Sequence, residues 1–177
     1  MQSIRIFTDL NDHSKTQEGL SVFVPAMAQF PAEIAMTSLT FPLCNVNNET
    51  TSFLKRSDSN APANCYCGVF ALDPFANWDE LARKILDAKF RGICNFPSLP
   101  EFDDEETRAL ASSGYSYETE IAKMRDLSRF GLELLIFYKS DAQHALAKDI
   151  LMGVDAEYLH YEALNGPSAG EGVSASA

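Results

Sequence analysis

Two linked runs, 65-CYCGVFALDPF-75 and 92-GICNFPSLPEF-102, decide the fold of this chain. Each begins as a short apolar strand and ends in turn-forming residues: Asp73-Pro74 after the first, Asn95-Phe96-Pro97 after the second. Between them Asn77-Trp78-Asp79-Glu80 makes a helix start, with Asn77 as cap and Glu80 three residues on. Trp78, Leu81, Ala82, Ile85 and Ala88 then recur at helical spacing, so one face of that helix packs on a sheet. Strand, amphipathic helix, strand is a βαβ unit, whose strands run parallel with a right-handed crossover. Folds of this kind place their chemistry at the carboxyl ends of the strands. Asp73 and Asn95 fall there.

The alternation continues downstream. Asp103-Asp104-Glu105-Glu106 looks like an acidic ligand cluster, but reads better as a helix N-terminus, where carboxylates favour the dipole. Gly114 ends that helix. Ser116 caps the next, which turns Tyr117, Ile121, Met124 and Leu127 or Ser128 to one side and stops at Gly131. Residues 132–137 (LELLIF) form a strand. Ser140 and Gln143 make a capping box for a helix that ends at Gly153, with Leu146, Ile150 and Leu151 inward. Residues 154–161 are the last strand, carrying Glu157 and His160.

Upstream the pattern is weaker. Residues 3–8 (SIRIFT) read as a strand, 9–19 as loop, and 20–25 (LSVFVP) as a strand or buried segment. Pro31 suits the first position of a short helix to about Thr37. Residues 41–46 are apolar, but Pro42 makes them a poor central strand. Residues 45–63 are rich in Asn, Ser and Thr, with Phe53-Leu54 their one apolar pair. They are expected to form a polar surface insert: a lid or binding loop on one reading, a tolerated insertion on the other. The expected domain is 1–164, and the small, polar tail 165–177 is expected to be disordered.

These repeats define an α/β fold of parallel βα units with helices outside the sheet. A barrel of eight such units takes about 250 residues. A chain of 177 residues has room for five or six. The expected architecture is an open sheet or an incomplete TIM-type barrel lacking about three of eight strands.

Composition narrows the partners. Lys and Arg total 14 against 25 Asp and Glu, a formal charge of -11. That balance argues against nucleic acid and against an anionic membrane surface, and keeps the surface soluble. No run approaches the ~20 apolar residues of a membrane span. The N-terminal MQSIRIFTDLNDHS lacks the layout of a signal peptide. Cys44, Cys65, Cys67 and Cys94 lie in apolar segments without framework spacing, as reduced core residues of a cytoplasmic protein do. Cys65 and Cys67 share a strand face, but no second Cys or His pair follows as zinc would need. Walker and dinucleotide glycine loops are also missing.

In order along the chain, GVFALDPF (68–75), FRGICNFPSLPEFD (90–103), SGYSYETEIAKMRDLSRFGLELLIFY (113–138) and MGVDAEYLHYEALNGP (152–167) resemble the TIM-barrel phosphoenolpyruvate hydrolase-like family. That family is related in fold to the phosphoenolpyruvate mutase and isocitrate lyase group. Gly68, Val69, Asp73, Pro74 and Phe75 match its third-strand motif. Gly92, Asn95, Phe96 and Pro97 match its fourth. Gly114, Tyr117 and Glu120 match the following helix, and Gly153, Asp155 and His160 the sixth-strand region. The chain departs from the pattern where the family has His-Met-Gly, here His160-Tyr161-Glu162. It departs again at the family's Thr-Thr-Pro-Tyr, here Leu134-Leu135-Ile136-Phe137. Phe70 and Leu72 are apolar where the family is polar.

The resemblance implies a metal-assisted lyase or hydrolase acting on a small phosphorylated or oxo-acid substrate. Four residues would carry it, and each has a second reading. Asp73 would hold a divalent metal, Mg²⁺ by its preference for carboxylate and water oxygens, or act as a base; otherwise it caps its own Asp-Pro turn. Asn95 would orient an oxyanion, or else satisfy backbone groups before Pro97. His160 would transfer a proton near neutral pH, or be structural. Glu120 would reach the site from its helix, or pair with Lys123 or Arg125. His13 and His144 lack such a context. The competing expectation is a non-catalytic partial barrel that binds a partner chain or a second copy of itself at its open sheet edges.

Overall fold

The computed structural model describes residues 4–12, 19–30, 45–98 and 104–163. Six parallel strands form one sheet: β1 (Arg5–Phe7), β2 (Ser21–Phe23), β3 (Cys65–Val69), β4 (Gly92–Asn95), β5 (Glu133–Tyr138) and β6 (Ala156–His160). Their order across the sheet is their order along the chain. With every crossover of one hand, that order keeps the helices on one side and curls the sheet into a half-barrel. The expected incomplete α/β barrel is therefore the observed one. The helices are α1 (Val46–Arg56), α2 (Trp78–Asp87), α3 (Asp104–Ser112), α4 (Tyr117–Leu127) and α5 (Asp141–Ile150).

Residue alternation along the strands divides the core in two. Cys65, Cys67, Val69, Ile93, Leu134 and Ile136 point outward, into the layer shared with the helices. Tyr66, Cys94, Leu135 and Phe137 point inward, to the concave side. That side is filled by Ala26 and Met27 from a 3-10 turn (Pro25–Gln29) and by Phe96 from the loop after β4. Gly68 explains how the loop fits: a Cβ there would lie 2.7 Å from the Phe96 carbonyl oxygen and from Val24 Cγ2.

Helix starts follow the caps read in the sequence. Asn77 accepts the Glu80 N–H, Ser116 the Thr119 N–H and Ser140 the Gln143 N–H. Gly114, Gly131 and Gly153 all take positive φ, as helix-ending glycines do. Burial pushes the Cys65 thiol up to about 12 and holds Cys67 and Cys94 well above the usual thiol range. All three are free and buried. Cys44, the helix expected at 31–37, most of the apolar run 41–46 and the tail 165–177 lie outside the described residues.

One expectation is overturned. The stretch 45–63 is not a surface loop throughout, because Val46–Arg56 is the helix α1. Asn45 caps it by accepting the Asn48 N–H at 2.8 Å, Glu49 lies in the first turn, and Lys55 and Arg56 lie in the last, in the sense the helix dipole favours. Hydrophobic periodicity missed it because two of its buried positions are polar. Thr50 returns its hydroxyl to the Val46 carbonyl, and Asn47 spends its amide on Phe70, just past the end of β3.

Candidate functional site

Of the four predicted site residues, Asn95 and Glu120 meet in one place, and Asp73 and His160 lie at two others.

The first lies beyond β3. The strand ends at Val69, so Asp73 stands in the following turn rather than on the strand. Its Oδ1 accepts the Phe75 N–H at 2.9 Å and its Oδ2 accepts Asn47 Nδ2–H at 3.2 Å. Asn47 also brackets Phe70: its Oδ1 accepts the Phe70 N–H at 3.0 Å and its Nδ2 donates to the Phe70 carbonyl at 2.9 Å. The turn-capping reading of Asp73 therefore describes its contacts. The described residues around it offer amide donors in place of the oxygen ligands Mg²⁺ takes, so they do not fit that ion. Among the described residues no group of three or more His, Cys, Asp and Glu side chains comes together.

The second place is buried between β4, β5 and α4. Asn95 lies on the outward face of β4, the face that meets the helices. Its Nδ2 donates to Glu120 Oε1 at 2.6 Å, to Ser98 Oγ at 3.2 Å and to the Phe137 carbonyl at 3.2 Å. Its Oδ1 accepts the Phe137 N–H at 2.7 Å. The Ser98 hydroxyl donates to the same Glu120 oxygen, and the Tyr117 hydroxyl donates to the Phe137 carbonyl at 3.0 Å. Burial, and then the Glu120 charge, push the Tyr117 phenol well above the usual range, which keeps it a donor. Asn95 and Ser98 are fully buried and Glu120 is 1% exposed. Where the sequence has Glu120 reach the site or pair with Lys123 or Arg125, its described contacts are with Asn95 and Ser98. The reason is helical phase: Glu120 shares the buried face of α4 with Tyr117, Ile121, Met124 and Leu127.

The third place is the end of β6. His160 is half exposed and faces the helix layer with Tyr158, while Leu159 and Tyr161 face the concave side. Its Nε2 meets the Lys139 carbonyl at 3.0 Å and its Nδ1 the Glu162 N–H at 3.4 Å. Tyr138 stands edge-on to its ring and stacks on His144.

Two asparagines thus do the same thing. Asn47 and Asn95 each pair with both backbone groups of a phenylalanine near a strand end, and each is steadied by a carboxylate. Sequence reading missed Asn47 and Ser98, which carry no local signal. The burial of Glu120 was legible in its helical spacing. The concave side above these residues is apolar, with Phe96, Phe137 and Tyr161 in mutual ring contact. A gap between α2, α4 and the sheet, lined by Val69, Leu81, Ile93 and Leu132, holds only about 10 Å³.

Fold and site together define a parallel α/β half-barrel whose rim polar residues are spent on holding strand ends. The chain belongs to the phosphoenolpyruvate hydrolase-like family, whose model matches residues 33–173. Uncharacterized protein y4oT of Sinorhizobium fredii (strain NBRC 101917 / NGR234) is 26% identical over 153 residues, 83% of this chain and 76% of that protein. Two Solanum lycopersicum proteins, ToMV susceptible protein tm-1(GCR26) and ToMV resistance protein Tm-1(GCR237), are each 32% identical over 65 residues. Those matches cover 37% of this chain and 9% of either tomato protein. No helix among the described residues is long and apolar enough to cross a membrane.

Proposed function

We propose that this chain is a non-catalytic member of its family, a half-barrel that works by binding a partner chain or a second copy of itself. The observation that carries this reading is the closure of Asn95 on Glu120 and on the Phe137 backbone, buried and on the face of β4 that meets the helices. A group that orients an oxyanion must present its donor to the substrate. Here the Asn95 amide protons go to protein oxygens. Asp73 likewise spends both oxygens on Phe75 and Asn47. The half-exposed β6 offers a surface for association.

The test is phosphate release from phosphoenolpyruvate, with and without Mg²⁺, alongside molar mass by light scattering over a range of concentrations. The expected result is no release above the buffer rate. Release that disappears in both Asp73→Asn and His160→Ala would overturn the proposal. A rise of mass with concentration supports self-association, and a constant monomer mass directs the search to a different chain. Asp73 just beyond β3 and His160 at the carboxyl end of β6 favour a second reading, a lyase or hydrolase acting on a small phosphorylated or oxo-acid substrate. The same assay decides between the two.

A further inference from the structure

We infer that His160 is a proton-sensitive latch on the turn that seats Tyr161 in the concave side of the half-barrel. The inference is independent of whether the chain turns over a substrate. It rests on what the two ring nitrogens meet. Nε2 faces the Lys139 carbonyl, so it carries a proton and donates. Nδ1 faces the Glu162 backbone N–H, so it must accept. Only the neutral imidazole with its proton on Nε2 satisfies both. Adding a proton to Nδ1 sets two N–H groups against each other. The Glu162 carboxylate, 3.8 Å from Nδ1, then becomes the better partner. The proton therefore exchanges a backbone contact of Glu162 for a side-chain contact and pulls on the turn Tyr161–Ala163.

That turn has leverage because of the residue between the two. Tyr161 is packed with Phe96 and Phe137 on the concave side, at ring centroid distances of 6.4 and 6.3 Å. Among the described residues, the surroundings of His160 do not mask the exchange. From β5 it meets the Tyr138 ring and the Lys139 carbonyl, and from the turn it meets Glu162. From α5, His144 lies beyond Tyr138, stacked on that ring at 4.4 Å. Lys148 sits further along, over Tyr158.

Two-dimensional NMR of the intact chain from about pH 8 down to about pH 5, where imidazoles change charge, tests the latch. The Glu162 amide and Tyr161 ring signals should shift on one titration curve shared with the His160 ring. In His160→Gln both should stay still. In His144→Gln both should still titrate, which separates the two histidines. Flat Glu162 and Tyr161 signals in the native chain would overturn the inference without any variant. So would an undiminished shift in His160→Gln. Neither outcome bears on phosphate release, so this inference and the functional proposal fail separately.

Discussion

At the scale of single residues, Asp73 and Asn95 of the family motif make hydrogen bonds that hold the chain just beyond β3 and at the end of β5. Asn95 closes four hydrogen bonds in a fully buried site, and its loss leaves the Phe137 N–H without its acceptor while the Phe137 carbonyl keeps the Tyr117 hydroxyl. Asn95→Ala should therefore lower stability by about 2 kcal/mol, since an orphaned buried group costs about 1–3 kcal/mol. Glu120→Gln keeps an acceptor oxygen for Asn95 and Ser98 and should cost about 1 kcal/mol. Urea unfolding of the two variants checks the order, and equal losses would contradict it. The buried thiols give a pH dependence. Folding raises the values of Cys65, Cys67 and Cys94. Their contribution is complete below the unfolded value of about 8.5 and is lost as pH rises toward the folded values. The urea midpoint should fall between about pH 8 and about pH 10, and replacing Cys67 by Ala should flatten that fall. Much of this scale was hidden in the sequence. Asp73 and Asn95 could be placed at strand ends, but their partners, Asn47 and Phe137, lie 26 and 42 residues away. Spacing alone does not reveal a hydrogen bond of that reach.

At the scale of elements, periodicity and caps carried most of the information. Ser116, Ser140 and Asn77 begin their helices because a short side-chain oxygen can accept an N–H that the first turn leaves open. Those three helices and the strands around them were legible for that reason. Helix α1 was not, because Asn47 and Thr50 occupy positions where a hydrophobic pattern expects apolar residues. The element is nonetheless fastened at both ends: Asn45 caps it, and Lys55 reaches Glu80 of α2 at 2.7 Å. The fastening at Asn45 should be worth about 1 kcal/mol, so Asn45→Ala should lower the thermal midpoint by several degrees. Asn47→Ala should do more damage, since it releases Phe70 and Asp73 together. Hydrogen exchange at the Phe70 amide is the sharper readout, and unchanged protection there would refute the clamp.

At the scale of the molecule, a six-stranded curl must fill its own concavity. It does so with Phe96, Phe137, Tyr161 and Met27, and glycine is required where the Phe96 loop crosses β3. Gly68→Ala should cost about 2 kcal/mol by overpacking that contact, measurable as a lower urea midpoint with an unchanged slope. At the opposite end of the strands, Arg91 binds Glu133 at 2.8 Å and Glu157 at 2.6 Å and lies over the Tyr66 ring, tying β3, β4, β5 and β6 together. The number of strands was legible from chain length and repeat spacing; what fills the concavity was not, because it depends on which loops fold inward. The order of the strands has a last consequence, for synthesis. Each strand pairs with the one made just before it, so every new unit leaves the ribosome with its neighbour already waiting. The half-barrel can grow in the direction of translation, with little contact deferred to later residues. Nascent chains stalled at successive lengths should gain protease resistance one βα unit at a time.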